Sequence, residues 1–208
     1  MASRAYSLPN ILTYARIVAV PLVVLCFFIE GTLRSPDYAR WWAFGLFVAA
    51  SVTDWLDGYL ARIWQQTSTI GRMLDPIADK LLVAAALLLL AAEGTIAGWT
   101  LWAAIIILCR EILVSGLREY LAELKVSVPV TRVAKWKTFI QMLAIAFLLA
   151  GPAADNLAAH YFLVSATATG AEIPIVSQTG LVLLWIAAVI TLYTGYDYFR
   201  AGLRHIED

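Results

Sequence analysis

The sequence predicts an all-α integral membrane protein with six transmembrane helices in one bundle. Three observations carry that expectation. The 208 residues are 62% hydrophobic and only 14% charged, where an average soluble domain is about 25% charged. Six mostly apolar segments follow one another, each near the roughly 20 residues that cross a bilayer core of about 30 Å as helix. Turn or polar material separates them, as in "EGTLRSPDYAR", "QQTSTIG", "AEGTIAG" and "AELKVSVPVTR". The length suits one such bundle, a single domain over 1–208, and leaves no room for a sizeable soluble domain. The formal net charge is zero, so bulk charge points to no nucleic-acid partner.

The first span, near 9–30, follows Leu8–Pro9–Asn10. No small-residue cleavage site accompanies it, so it reads as a retained span and not a signal peptide. The second and third spans, near 40–63 and 73–93, are joined by a short polar loop and read as antiparallel neighbours. The fourth and fifth lie near 97–121 and 133–151, and the sixth near 177–199. The connection 152–176 between the last two holds Asp155, His160 and Glu172 and reads as a surface loop, with a short interfacial helix around Tyr161–Val164. Cys26 and Cys109 both lie inside apolar runs and read as buried small hydrophobes, not as a disulfide or a thiolate metal site.

An even span number puts both termini on one side. Arg4, Arg62, Arg72, Arg118, Lys125, Arg132, Lys135, Arg200 and Arg204 fall at ends shared with the N-terminus, whereas Arg34 and Arg40 fall opposite. The positive-inside rule then places both termini in the cytoplasm.

The same assignment brings four aspartates to the cytoplasmic ends of spans two and three. Asp54 and Asp57 are three apart and share a helix face; Asp75 and Asp79 are four apart and share another. An aspartate at the bilayer centre costs about 2.5–3.5 kcal/mol even on the mild insertion scale. Four carboxylates therefore face the bundle interior or a wet cavity. Packed together, they repel unless a cation sits among them. Clustered carboxylate oxygens suit a hard divalent ion, Mg²⁺ or Mn²⁺, and four of them permit one or two ions. Gly58 lets backbone or ligand approach closely, Ala61 is small on the Asp57 face, and Arg62 offers a planar donor fork for phosphate. Gly71 precedes span three, where Pro76 is tolerable in a first turn. The set fits a metal-bound diphosphate.

The segment reads D-x2-D-G-x2-A-R-x8-G-x3-D-x3-D, with Asp54, Asp57, Gly58, Ala61, Arg62, Gly71, Asp75 and Asp79 in register. This resembles the signature of the CDP-alcohol phosphotransferase family at all eight positions. The resemblance implies a six-span membrane enzyme, a homodimer, and a metal held by Asp54, Asp57 and Asp75. It favours Asp79 as the catalytic base, although the residues alone leave Asp79 as base or metal ligand. "PNILTYAR" matches the family pattern PN-x-L-T-x-x-R. Through that match Asn10, Thr13 and Arg16 are expected to shape the nucleotide or lipid-phosphate end of the cavity; Asn10 is equally a helix cap.

The resemblance runs over nearly the whole chain. "CREILVSGLREYLAE" (109–123) and "AKWKTFIQM" (134–142) are similar to the bacterial branch that joins sn-glycerol 3-phosphate to the phosphatidyl group of CDP-diacylglycerol and releases CMP. Charge supports a phosphorylated acceptor. Arg110 lies about eight residues inside span four, where a cation must pair or line a cavity. Arg118 lies two turns on, rotated by about 80° on an ideal helix, and Lys135 begins span five at the same level. These three are expected to bind glycerol 3-phosphate; Lys135 and Lys137 also suit plain positive-inside anchors, Arg118 a pair with Glu119 or lipid headgroups, and Arg110 a structural pair with Glu111 or Glu119. The place implied is the bacterial cytoplasmic membrane, with the site at its inner face. Competing readings are a cardiolipin or phosphatidylserine synthase of the same family, an aspartate-rich membrane prenyltransferase, and a cation transporter.

Overall fold

The structure is a computed structural model that describes residues 8–29, 36–64, 69–124, 132–162 and 174–203. Side chains are described for these stretches apart from positions 8, 9, 36, 55, 57–64, 69, 70, 72, 132, 134, 135, 161, 162 and 203. Six α-helices make up the fold: α1 (Leu8–Phe28), α2 (Pro36–Trp64), α3 (Thr69–Ala92), α4 (Leu101–Glu123), α5 (Arg132–Phe162) and α6 (Ile175–Leu203). Among the described residues there is no strand. The all-α membrane class holds. By length and composition, α1, α4, α5 and α6 are apolar enough to cross a bilayer. At about 1.5 Å per residue, the 29 residues of α2 and 24 of α3 also give sufficient length. These two stand apart because they carry the aspartates.

Long apolar side chains lie on both sides of the helices. Phe47, Leu82, Leu87, Ile107, Ile145, Leu148 and Leu184 fill the core, while Val18, Trp42, Leu88, Ile112 and Val189 are exposed on the outside. That distribution is what lipid allows. Acyl chains are as apolar as leucine, so helices associate through close packing and polar contacts more than through hydrophobic burial. Small residues permit the approach. A Cβ at Gly180 would lie 2.9 Å from the Leu148 side chain, and one at Gly151 would lie 2.6 Å from Ser177 Oγ. Both glycines thus bring α5 and α6 together.

The helices alternate in direction, which gives the bundle two polar ends. Arg40 at the start of α2 lies over the Phe27 ring near the end of α1, 5.3 Å from its centroid. Asn156 on α5 donates to Asp37 on α2 at 3.1 Å. The turn from α3 into α4 uses Gly94 at φ +72°, a left-handed conformation that closes helices without a Cβ penalty. It continues through a 3₁₀ turn, Gly98–Thr100.

Three expectations need correction. Residues 152–162 are not loop but the last turns of α5. Their alanine-rich run favours helix, and Pro152 is accommodated beside Gly151 where α6 packs. Asp155 on this stretch accepts from Val176 N–H at 2.7 Å and from Ser177 N–H at 3.1 Å. It thereby caps the start of α6, whose first N–H groups have no partner within their own helix. Tyr161 and Phe162 end α5, and 163–164 lie outside the described residues. Pro76 is not in a first turn, because α3 begins at Thr69. It interrupts the hydrogen-bond ladder directly after Asp75, a break that membrane helices tolerate when neighbours re-satisfy the backbone. Cys26 is buried as expected, but Cys109 is exposed on α4.

Candidate functional site

α1 organises the site. Asn10, Thr13 and Arg16 recur every three residues on one face and are 2%, 1% and 1% exposed. Ile11, Val18 and Leu22 point outward. A buried arginine is costly without a partner, and Arg16 Nη1 meets Asp54 Oδ1 of α2 at 2.6 Å. One turn earlier, Thr13 Oγ1 donates to Asp75 Oδ1 of α3 at 2.5 Å. The carboxylates of α2 and α3 are therefore held through α1. Among the described residues α1 packs broadly on both helices, whereas α2 and α3 have no broad contact with each other. The short polar connection expected between them made them look like direct neighbours; the polar stripe of α1 contacts both.

Asp79 lies one turn beyond Asp75 on α3. The charges acting on it are those of Asp54, Glu111, Arg16 and Lys137. It lines a small cavity of about 20 Å³ with Lys80, Glu111, Lys137, Thr138 and Gln141. This residue connects the α1–α2–α3 carboxylates with a second polar group on α4 and α5.

That second group differs from the expected one. Lys137, an anchor candidate in the sequence, is 4% exposed and donates to Glu111 Oε1 of α4. Arg110 Nη1 stands 3.6 Å from the same oxygen, longer than a hydrogen bond. Arg110 Nη2 instead donates to Thr194 Oγ1 of α6 at 3.0 Å. Arg118 is exposed and lies over the Tyr198 ring of α6, 5.8 Å from its centroid. Lys80 donates to Ser115 Oγ at 2.5 Å, which ties α3 to α4 at the same end.

Asp54, Asp75 and Asp79 are thus brought to one end with Asn10, Thr13 and Arg16, and Gly71 is buried on α3 nearby. Asp57, Gly58, Ala61 and Arg62 lie on α2, and Lys135 on α5, with side chains outside the described residues. Glu111 was read only as a partner for Arg110 and Lys137 only as an anchor, and Thr194 was missed in the sequence. An acid inside span four and a lysine in the first turns of span five, at one bundle end, are the signal that pairs the first two. Thr194 had none, because a hydroxyl in a membrane helix ordinarily bonds its own backbone.

A second cavity opens beside Asp54, between α2 and α5. It measures about 540 Å³ and is walled by Phe47, Val48, Val52, Phe139, Met142 and Leu143, with Ser51 and Thr138. Among the described residues, its one acidic lining residue is Asp54. The arrangement offers an apolar groove that ends at a carboxylate cluster, with cations across the bundle.

A model of the family described as CDP-alcohol phosphatidyltransferase matches residues 6–193. A protein of Cereibacter sphaeroides named CDP-diacylglycerol–glycerol-3-phosphate 3-phosphatidyltransferase is 41% identical, covering 98% of this chain and 98% of that protein. Its namesake in Rickettsia bellii is 44% identical over 96% of this chain and 97% of its own length. The Escherichia coli K12 protein of the same name is 37% identical over 98% of each.

Proposed function

This chain belongs to the CDP-alcohol phosphatidyltransferase family, and from that premise we propose that it transfers the phosphatidyl group of CDP-diacylglycerol to sn-glycerol 3-phosphate, giving phosphatidylglycerophosphate and CMP. One observation carries the reading beyond the family. The carboxylates held by α1 and the cations of α4 and α5 meet at one bundle end, with Asp79 between them. A diphosphate donor needs the first group, and a phosphorylated acceptor needs the second.

The donor set suits a divalent cation in its chemistry. Carboxylate oxygens are the hard ligands that Mg²⁺ and Mn²⁺ take. Each contact that α1 makes engages one carboxylate oxygen, and a carboxylate has lone pairs for several partners. Among the described residues no three His, Cys, Asp or Glu side chains gather closely enough for an ion; Asp57, whose side chain lies outside the described residues, enters the proposed set through the family motif. Asp54, Asp57 and Asp75, with Asp79 at the edge, would hold one or two ions. Bound there, the metal would neutralise charge on the diphosphate and on departing CMP.

The chain's own residues supply the rest. Arg16 and Thr13 fix the carboxylates before substrate arrives. The groove between α2 and α5 takes the acyl chains, so the donor enters from the bilayer. Gly58, Ala61, Arg62 and Gly71 border the donor headgroup. Arg110, with Arg118 and Lys135, receives the acceptor phosphate. The acceptor hydroxyl oxygen bonds to the phosphorus next to diacylglycerol, the bond from that phosphorus to the CMP oxygen breaks, and Asp79 takes the hydroxyl proton. Asp79 lines a cavity with Lys137 and Glu111, which supports the part of base beside its place at the edge of the metal set.

We place this end at the inner face of the bacterial cytoplasmic membrane because lysines and arginines concentrate there. All six helices then span, and both termini are cytoplasmic. A homodimer is the expected assembly. CMP release by the purified protein in detergent, with CDP-diacylglycerol and Mg²⁺, tests the function. It should require glycerol 3-phosphate and stop with EDTA. Serine or phosphatidylglycerol as the preferred acceptor would overturn the assignment. Replacing Asp57 by Ala should abolish transfer while the protein stays membrane-embedded; near-normal turnover would remove the metal site.

A further inference from the structure

The proposed reaction gives α6 no part, yet α6 sets where the Arg110 guanidinium lies. Two adjacent positions do this. Thr194 Oγ1 accepts from Arg110 Nη2 at 3.0 Å and donates to the Ile190 carbonyl, 2.9 Å away. The hydroxyl's single donor is thereby used, and its lone pair faces the arginine. Gly195, the next residue, lies under the arginine stem. A Cβ there would stand 2.9 Å from Arg110 Cγ and 3.3 Å from Nε, closer than packed atoms normally come. Arg110 therefore crosses α6 at a position without a side chain and ends on a hydroxyl.

The chemistry of that support matters. A carboxylate in place of Thr194 would orient the guanidinium but cancel its charge. A hydroxyl orients it and leaves the charge for a ligand. The nearby carboxylate, Glu111, is occupied by Lys137 and stands 3.6 Å from Arg110 Nη1. Nη2 is held by Thr194, the stem lies over Gly195, and Nη1 faces Glu111 Oε1, an oxygen that Lys137 also engages.

We infer that Thr194 and Gly195 are positioning residues that hold Arg110 for the phosphate of the acceptor. This rests on the reading of Arg110 as an acceptor contact. The test uses the full chain in detergent with CDP-diacylglycerol, Mg²⁺ and glycerol 3-phosphate, and measures the two KM values separately. T194V should raise the acceptor KM about tenfold, the scale of one hydrogen bond to a charged group, and leave the donor KM unchanged. T194S should restore it, and T194D should raise it further by neutralising Arg110. G195A, which keeps the hydroxyl, should raise the acceptor KM by displacing the stem. If T194V fails to accumulate, G195A and the loss of thermal protection by glycerol 3-phosphate carry the same test. An unchanged acceptor KM in T194V and G195A, or both KM values rising together without rescue by serine, would overturn the inference. A wild-type protein that ignores glycerol 3-phosphate would remove the reading beneath it; one that uses it, beside unaffected variants, removes the inference alone.

Discussion

The two ends of this bundle are both polar, but they use polarity differently. At the end that holds α5's last turns, Asp155 serves backbone N–H groups at the start of α6, and Asn156 ties α5 to Asp37 of α2. These contacts finish helices. At the other end, Asp54, Asp75, Asp79, Arg16, Arg110, Glu111 and Lys137 meet as side chains drawn from five helices. None of these charges is needed to close a helix. Buried ion pairs are weak contributors to stability, because desolvation offsets most of their attraction. A cluster that does little for the fold yet is drawn from most of its helices marks the working end.

Substitutions at the two ends should separate sharply. The largest effect is expected for Asp79→Asn, which should lower kcat by about 10²–10⁴-fold, the range for losing a general base, without dissolving the bundle. Activity within a few-fold of normal would assign proton removal elsewhere. Next, Lys137→Met leaves Glu111 buried without its partner and should cost about 3–5 kcal/mol in detergent unfolding. Adding Glu111→Leu should recover much of that stability while transfer stays low. Recovery of transfer as well would show that the pair is structural, and the contrast between the ends would collapse. Thr13→Val removes the hydrogen bond to Asp75 and should cost about 1.5–3 kcal/mol of stability, together with a fall in kcat/KM measured at saturating acceptor. The smallest effect belongs to the far end. Asp155→Ala should lose about 0.5–2 kcal/mol as a cap is removed, with transfer unaltered; impaired transfer would give that end a share in function.

The sequence and the structure agree most where physics is local. Hydrophobic runs of sufficient length became helices, and the spacing of Asp75 and Asp79 put them one turn apart on α3. Agreement failed where partners lie far off in the chain. Residues 152–162 read as loop because an apolar count stops at Gly151–Pro152, whereas their helix is secured by Asp155 reaching α6, 21 residues on. Lys137 read as an anchor because its partner, Glu111, is 26 residues away. The helices α2 and α3 were expected to be direct neighbours, and the role of α1 between them follows only from contacts 38 and 62 residues apart in sequence.

By itself the sequence determined that this is a helical membrane protein, that acids and cations concentrate at one end, and which chemistry such a set suits. Composition and periodicity suffice for that, since they act through the solvent each residue prefers and the helix face it occupies. Only the tertiary structure decided which charges pair and which stay available to a ligand. That choice depends on which helices stand side by side, and a hydrogen bond is made or lost within an ångström that no spacing along the chain can specify.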